Sequence, residues 1–226
     1  MKNLIFVALL AATPALAQSA EPRTIAMSGH GEVRAAPDQA QISTGVTTAA
    51  PTAAAALAGN TARMQGLFAA LAKAGIAEKN IQTVNFSVSP QYTNGGANQP
   101  ARVTGYQVTN QLAVRLDDVA RVGATLDALV TAGSNDMNGI SFSIKDPAPL
   151  LEKARADAVA DARARAQTYA RAAGVTLGPV LSISEGGGDV RPMRMAPMMM
   201  KAAGPVPVAA GEENVSADVS LVWEIH

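Results

Sequence analysis

The chain has 226 residues, 18 basic and 18 acidic side chains, 48% hydrophobic residues and no cysteine. A balanced charge removes the electrostatic footing for nucleic-acid binding. Without thiols there are no disulfides, no cysteine nucleophile and no thiolate metal site, so a fold of this length must rest on its hydrophobic core.

The first residues, MKNLIFVALLAATPALAQS, combine Lys2, a short apolar run from Leu4 to Ala12, and Ala15-Leu16-Ala17. That order reads as a signal peptide over residues 1–17, with the small-x-small rule placing cleavage between Ala17 and Gln18. The run is shorter than the roughly 20 residues of a membrane-spanning helix. The mature chain, 18–226, is expected to be one periplasmic domain with no integral membrane insertion; loose outer-membrane association stays open.

RTIAMSGHGEVRA and DQAQISTGVTTA read as two strands separated by Pro37, the second alternating Ala40, Ile42, Thr44 and Val46. Pro51 and Thr52 open a helix with Leu57, Met64, Leu67, Phe68 and Leu71 on one face. Gly75 ends it in a left-handed cap, with Ile76 packing back on the last turn. IQTVNFSVSPQY and GYQVTNQLAVRL form a hairpin around the loop TNGGANQPA. Asp117 or Asp118 caps a second helix whose stripe is Val119, Val122, Leu126, Leu129 and Val130, and Gly133 closes it. GISFSIKD is a strand.

A third and longest helix starts after Asp146, tolerates Pro149 in its first turn and stops at Gly174. Its narrow face is Leu151, Ala154, Ala158, Ala162 and Tyr169, with Asp161 and Arg165 as an i,i+4 pair. GPVLSISE and ENVSADVSLVWEIH are the last strands. The order β-β-α-β-β-α-β-α-β-β is α/β (α+β): a mixed sheet of hairpins and strand-helix-strand units, with three helices packed on it. A weak repeat pairs ALAKAG and NFSV with ALVTAG and SFSI, and again with RAAG and LSIS, which allows two similar lobes built by duplication.

Glycines and prolines break every period between Gly186 and Gly211, so this stretch is read as a loop. It holds five of the nine methionines: Met193, Met195, Met198, Met199 and Met200. Thioethers are soft ligands suited to Cu(I) where thiols are absent. They also oxidise reversibly to sulfoxide and make adaptable apolar contacts. The run is therefore the candidate metal, oxidant or partner site, set against a plain loop with no role.

GHGEVRAAPDQAQISTGV, NIQTVNFSVSPQY, GYQVTNQLAV, GISFSIKDP, ARADAVADARARAQTYARAAGVTLG and SISEGG together resemble the SIMPL-domain family, in its periplasmic immunogenic, outer-membrane-antigen branch. The match runs in order from about Thr24 to Ile225. The resemblance implies an exported α/β protein, often oligomeric, with a loose link to stress tolerance; homo-oligomers are expected here, with envelope proteins as further candidate partners. It carries over no catalytic residues.

The chain's own inventory agrees. His30 and His226 are the only histidines, no G-x-S-x-G nucleophile elbow is present, and a His/Cys zinc site lacks ligands. Gly29 and Gly31 read as points of close backbone approach or a bulge. The carboxylate pairs Glu32–Asp38 and Asp157–Asp161 read as solvated charge. No cofactor and no enzyme activity are expected. A hydrolase is the weaker alternative, and a pocket gathering His30, Glu32 and another carboxylate would favour it.

Overall fold

The computed structural model describes residues 23–93, 100–186, 189–192 and 206–226. They form two four-stranded sheets and three α-helices. The strands are β1 (Thr24–Ala35), β2 (Gln39–Ala50), β3 (Ile81–Tyr92), β4 (Val103–Leu116), β5 (Asp136–Ser143), β6 (Leu177–Glu185), β7 (Asp189–Pro192) and β8 (Glu213–Ile225). The helices are α1 (Ala53–Lys73), α2 (Val122–Thr131) and α3 (Ala148–Ala173).

The α/β class is as the sequence indicates, and so is the element order apart from the added strand β7. The sheet expectation needs correction: there are two sheets, and every strand pairing is antiparallel. The parallel relations implied by the helical connections exist, but only across an intervening strand. In the order β3-β4-β2-β5, α1 carries the chain from β2 past β4 to β3. Likewise α2 carries it from β4 past β2 to β5. This is the split β-α-β arrangement of a ferredoxin-like β-α-β-β-α-β unit.

That unit is inserted between β1 and α3. The second sheet joins the two ends of the described chain: β1 pairs with β8 along its whole length, from Thr24 opposite Glu224 to Ala35 opposite Glu213. β6 and β7 follow one another along the other edge of β8. Regular structure thus resumes at Asp189–Pro192, inside the stretch read from sequence as loop. The two connections between the sheets run side by side, with the Lys145 N–H donating to Asp38 Oδ1 at 2.7 Å.

Each sheet has its own core. The first joins Ile42, Val46, Leu112 and Val114 to Met64, Leu67 and Leu71 of α1 and to Val122, Leu126 and Leu129 of α2. Burying each large aliphatic side chain is worth roughly 1.5–3 kcal/mol. Thr52 caps α1 by accepting the Ala55 N–H, and Gly75 takes a left-handed φ of 72°. The buried face of α1 is turned from the expected one: Ala56 and Asn60 point inward, while Leu57 and Phe68 are 41% and 44% exposed. Asn60 causes this, because its Nδ2 donates to the Val46 and Val108 carbonyls at 2.8 and 3.3 Å.

The second core is an alanine stripe on α3, Ala154, Ala158, Ala162, Ala166 and Ala170, set against Val219, Leu221 and Trp223. Tyr169 is off this face and 60% exposed. Small side chains on the helix meet glycines on the strand. A Cβ on Gly29 would lie 2.0 Å from the Ala158 carbonyl oxygen. Gly29 and Gly31 are therefore sites of close backbone approach.

Candidate functional site

The candidate ligands Met193, Met195, Met198, Met199 and Met200, and the cleavage residues Ala17 and Gln18, lie outside the described residues. What is described is how the methionine stretch is anchored. Before it, Pro192 ends β7; after it, Glu213 begins β8; the two residues are partners in the β7–β8 pairing.

Charged groups gather on the face of the β1-β8-β6 sheet opposite α3. Residues at even positions of β1 and β8 point there, so Ser28, His30, Glu32 and Arg34 stand beside Ser220, Asp218, Ser216 and Asn214. His30 Nδ1 lies 2.9 Å from Asp218 Oδ1 and its Nε2 lies 3.9 Å from Glu32 Oε2. Arg34 Nε donates to Glu32 at 2.8 Å. That bond, with the adjacent guanidinium charge, holds the Glu32 carboxyl below its ordinary value against a smaller cost of burial. Ser28 and Ser220 hydroxyls pair with each other at 3.1 Å.

His30 is thus brought together with Glu32 and with Asp218, a residue 188 positions away. This meets half of the hydrolase condition. The cluster lies on an open sheet face, and both ring nitrogens face carboxylates. The Ser28 and Ser220 hydroxyls pair with each other, and among the described residues no serine hydroxyl is hydrogen-bonded to the imidazole. Of these contacts, His30–Asp218 crosses from β1 to β8, and Glu32–Arg34 lies within β1.

The edges of the two sheets differ sharply. β1 is an edge strand that α3 has capped: Asp161 Oδ2 accepts the His30 backbone N–H at 3.0 Å, and Arg165 reaches the Ser28 carbonyl at 3.4 Å. Asp161 and Arg165 also pair with each other at 2.9 Å. The His30 N–H first, then Arg165, hold the Asp161 carboxyl below its ordinary value. Side chains here replace a neighbouring strand, a known protection of edges. At β3 and β6 the chain leaves apolar side chains outside. Val84, Phe86 and Val88 of β3 are exposed, Phe86 by 53%; so are Val180, Leu181 and Ile183 of β6, Ile183 by 63%.

Sequence reasoning saw the apolar alternation of β3 but not its exposure, because edge position depends on strand order. A second charged site, which sequence did not single out, lies where α1 ends and α2 begins. There Lys79, Arg115 and Arg121 line a cavity with Asp117 and Asp118. Its acids are engaged: Asp118 accepts the Ala120 N–H and Asp117 accepts from Gln39, which with Lys145 and Arg115 lowers the Asp117 carboxyl's pKa.

Among the described residues no cluster of three or more His, Asp and Glu is placed to hold a metal, and no helix is long and apolar enough to cross a membrane. Comparison with known proteins gives a match to the SIMPL family model, described as a protein of unknown function (DUF541), over residues 25–223. The chain is 37% identical to the 26 kDa periplasmic immunogenic protein of Brucella melitensis, over 94% of this chain and 90% of the relative. It is 30% identical to the uncharacterized protein YggE of Escherichia coli K12, over 80% and 73%. It is 29% identical to the interleukin-1 receptor-associated kinase 1-binding protein 1 homolog of Xenopus laevis, over 72% and 63%.

Proposed function

The chain belongs to the SIMPL family, and from that premise we propose that it is an exported periplasmic protein, cleaved after Ala17, that acts without catalysis by self-association and contributes to envelope or oxidative stress tolerance. The Brucella relative, named as periplasmic and aligned over nearly the whole chain, supports the compartment.

Self-association rests on one observation, the contrast between the capped edge of β1 and the open apolar edge of β3. Open edges with outward apolar side chains pair with other chains unless something covers them. In a folded exported protein, copies of itself are the nearest cover. Light scattering on the mature protein tests this: a particle several times the monomer mass is expected, and a clean monomer at micromolar concentration overturns it. For stress tolerance, cells lacking the protein should lose viability under peroxide, and the self-association variant argued in the Discussion should fail to restore it.

The methionine stretch supports a second reading, a Cu(I) or oxidant sink. Five thioethers in one short run, in a chain without thiols, are the soft donor set such a sink needs. Deleting residues 190–208 separates the two readings, since assembly through β3 should survive it and metal binding should not.

A further inference from the structure

The α3 helix sits off-centre on its sheet. Gly29 and Gly31 let it press onto β1, and its alanine stripe covers β1 and β8. The helix-facing side of β6 is left largely bare. Between α3 and β6 runs a groove lined by Val159, Arg163, Gln167, Leu177, Val180 and Trp223. It continues past Gln167 and Leu177 to Arg171 and Thr176. At its other end Arg155 donates to Glu185 at 2.7 Å.

Charge on α3 is divided between its two flanks. The flank toward β1 carries Asp161, which caps that strand, with Asp157 one turn before it. The flank toward β6 carries Arg155, Val159, Arg163, Gln167 and Arg171 at four-residue steps. Arg155 is used by Glu185. Among the described residues neither Arg163 nor Arg171 has a carboxylate within ion-pair distance. The groove therefore has an apolar floor, an arginine rim and, on its far side, a strand whose described pairing is with β8 alone.

We propose that this groove binds an extended segment of another polypeptide, added as a strand along β6, with the pattern acidic-x-apolar-x-acidic. Strand addition supplies backbone hydrogen bonds along an open edge and reads alternate side chains. The pattern follows from two rises. Arg163 and Arg171 are eight positions apart on α3, about 12 Å at the helical rise. Positions four apart on a strand span about 13 Å and point to the same side. Two acids at that spacing meet the two guanidinium groups, where bidentate geometry favours carboxylates. The residue midway between them faces Val180 and the floor beside Trp223.

The test uses mature protein and fluorescein-labelled Ser-Glu-Ser-Val-Ser-Glu-Ser, followed by anisotropy and by the emission of Trp223, the chain's one tryptophan. The acidic peptide should bind about tenfold more tightly than Ser-Lys-Ser-Val-Ser-Lys-Ser, the worth of two partly exposed ion pairs. The double variant Arg163→Glu/Arg171→Glu, checked for unchanged circular dichroism, should reverse the preference. Methylating the backbone nitrogens along one edge of the peptide should abolish binding, and along the other should not. Equal binding of the two peptides, or an unreversed preference, overturns the proposal. So does a fall in the bound fraction of peptide as protein concentration is raised further, which makes a second copy the occupant. Displacement by sodium dodecanoate below its micellar concentration also overturns it, by making the site one for acyl chains. Particle mass measured on the same double variant keeps this result distinct from self-association through β3.

Discussion

A Cβ placed on Gly31 would lie 1.9 Å from the carbonyl oxygen of Ala154. Strand and helix backbones are in contact there, with no side chain between them. Gly31→Ala must therefore push α3 outward and strain the contacts of Ala158 and Ala217. Overpacking of this kind costs about 1–3 kcal/mol, and a rigid backbone obstacle puts it at the upper end. Gly59→Ala is the counterpart, because a Cβ there meets nothing within 4 Å on an exposed turn of α1. It should stabilise by roughly 0.5–1 kcal/mol through helix propensity. Urea denaturation of both variants checks the opposite signs.

The Asp161 cap makes one edge sensitive to acid. Its carboxyl is held below the ordinary value, chiefly by the His30 N–H and then by Arg165. The stabilisation is present above the unfolded carboxylate value, near pH 4, and disappears as pH falls through the lower folded value. Asp161→Asn keeps an acceptor for the N–H and removes the titration. The urea midpoint of the native protein should exceed that of the variant at neutral pH, and the two should converge on acidification below the carboxylate range. Parallel curves would assign the effect elsewhere.

Asn60 is the polar residue that turns α1. Its Nδ2 satisfies two strand carbonyls in a site where the residue is fully enclosed. Asn60→Ala leaves both oxygens without that donor, at a cost of about 1–3 kcal/mol. Asn60→Leu adds apolar volume yet should be no better, since it too removes that donor. The midpoint of chemical denaturation measures both, and a neutral Asn60→Leu would mean that packing alone sets the helix face.

Most local features were legible because their causes are local. Thr52, Gly75, Gly133 and Gly174 act within a few residues of the helix end they stop or start. Asp146 does the same, accepting the Ala148 N–H. The strands followed from alternation. What escaped depends on partners distant in sequence. The pairing of β1 with β8 joins residues about two hundred positions apart, and it alone makes His30 a neighbour of Asp218. The strands that the helices join are parallel, as sequence order suggests, but β4 and β2 insert between them and make every neighbouring pair antiparallel, which the order does not reveal. Leu57 and Phe68 fit a helical stripe as well as Ala56 and Asn60 do, and only the strand carbonyls decide between them.

Self-association is attributed to open edges, so charging one should weaken it. Phe86 and Val88 alternate on one side of β3 and are both exposed. Replacing them with lysine removes little from the monomer's own core and places like charges where a second strand would dock. Phe86→Lys/Val88→Lys should lower the native particle mass at least to half, while the thermal midpoint of secondary structure changes little. An unchanged mass would remove β3 from the interface.

The methionine stretch makes a claim that needs no change in fold. Residues 193–200 lie between Pro192 and Glu213, which pair with each other at the end of the second sheet. Serine in place of Met193, Met195, Met198, Met199 and Met200 therefore leaves both anchors in place. Each exchange replaces a soft thioether by a hard hydroxyl, which discriminates strongly against Cu(I) and little against other contacts. Under a Cu(I) function the native protein should compete for the metal with a chromophoric chelator, and the serine variant should lose at least about tenfold in affinity. Under an oxidant-sink function both proteins would bind copper equally weakly. Under dilute peroxide the native protein would then gain up to five more oxygens than the serine variant, which keeps Met27, Met64 and Met137. Equal copper affinity together with equal oxygen uptake would leave the run without chemistry of its own, and its methionines would then be tested as apolar contacts by particle mass.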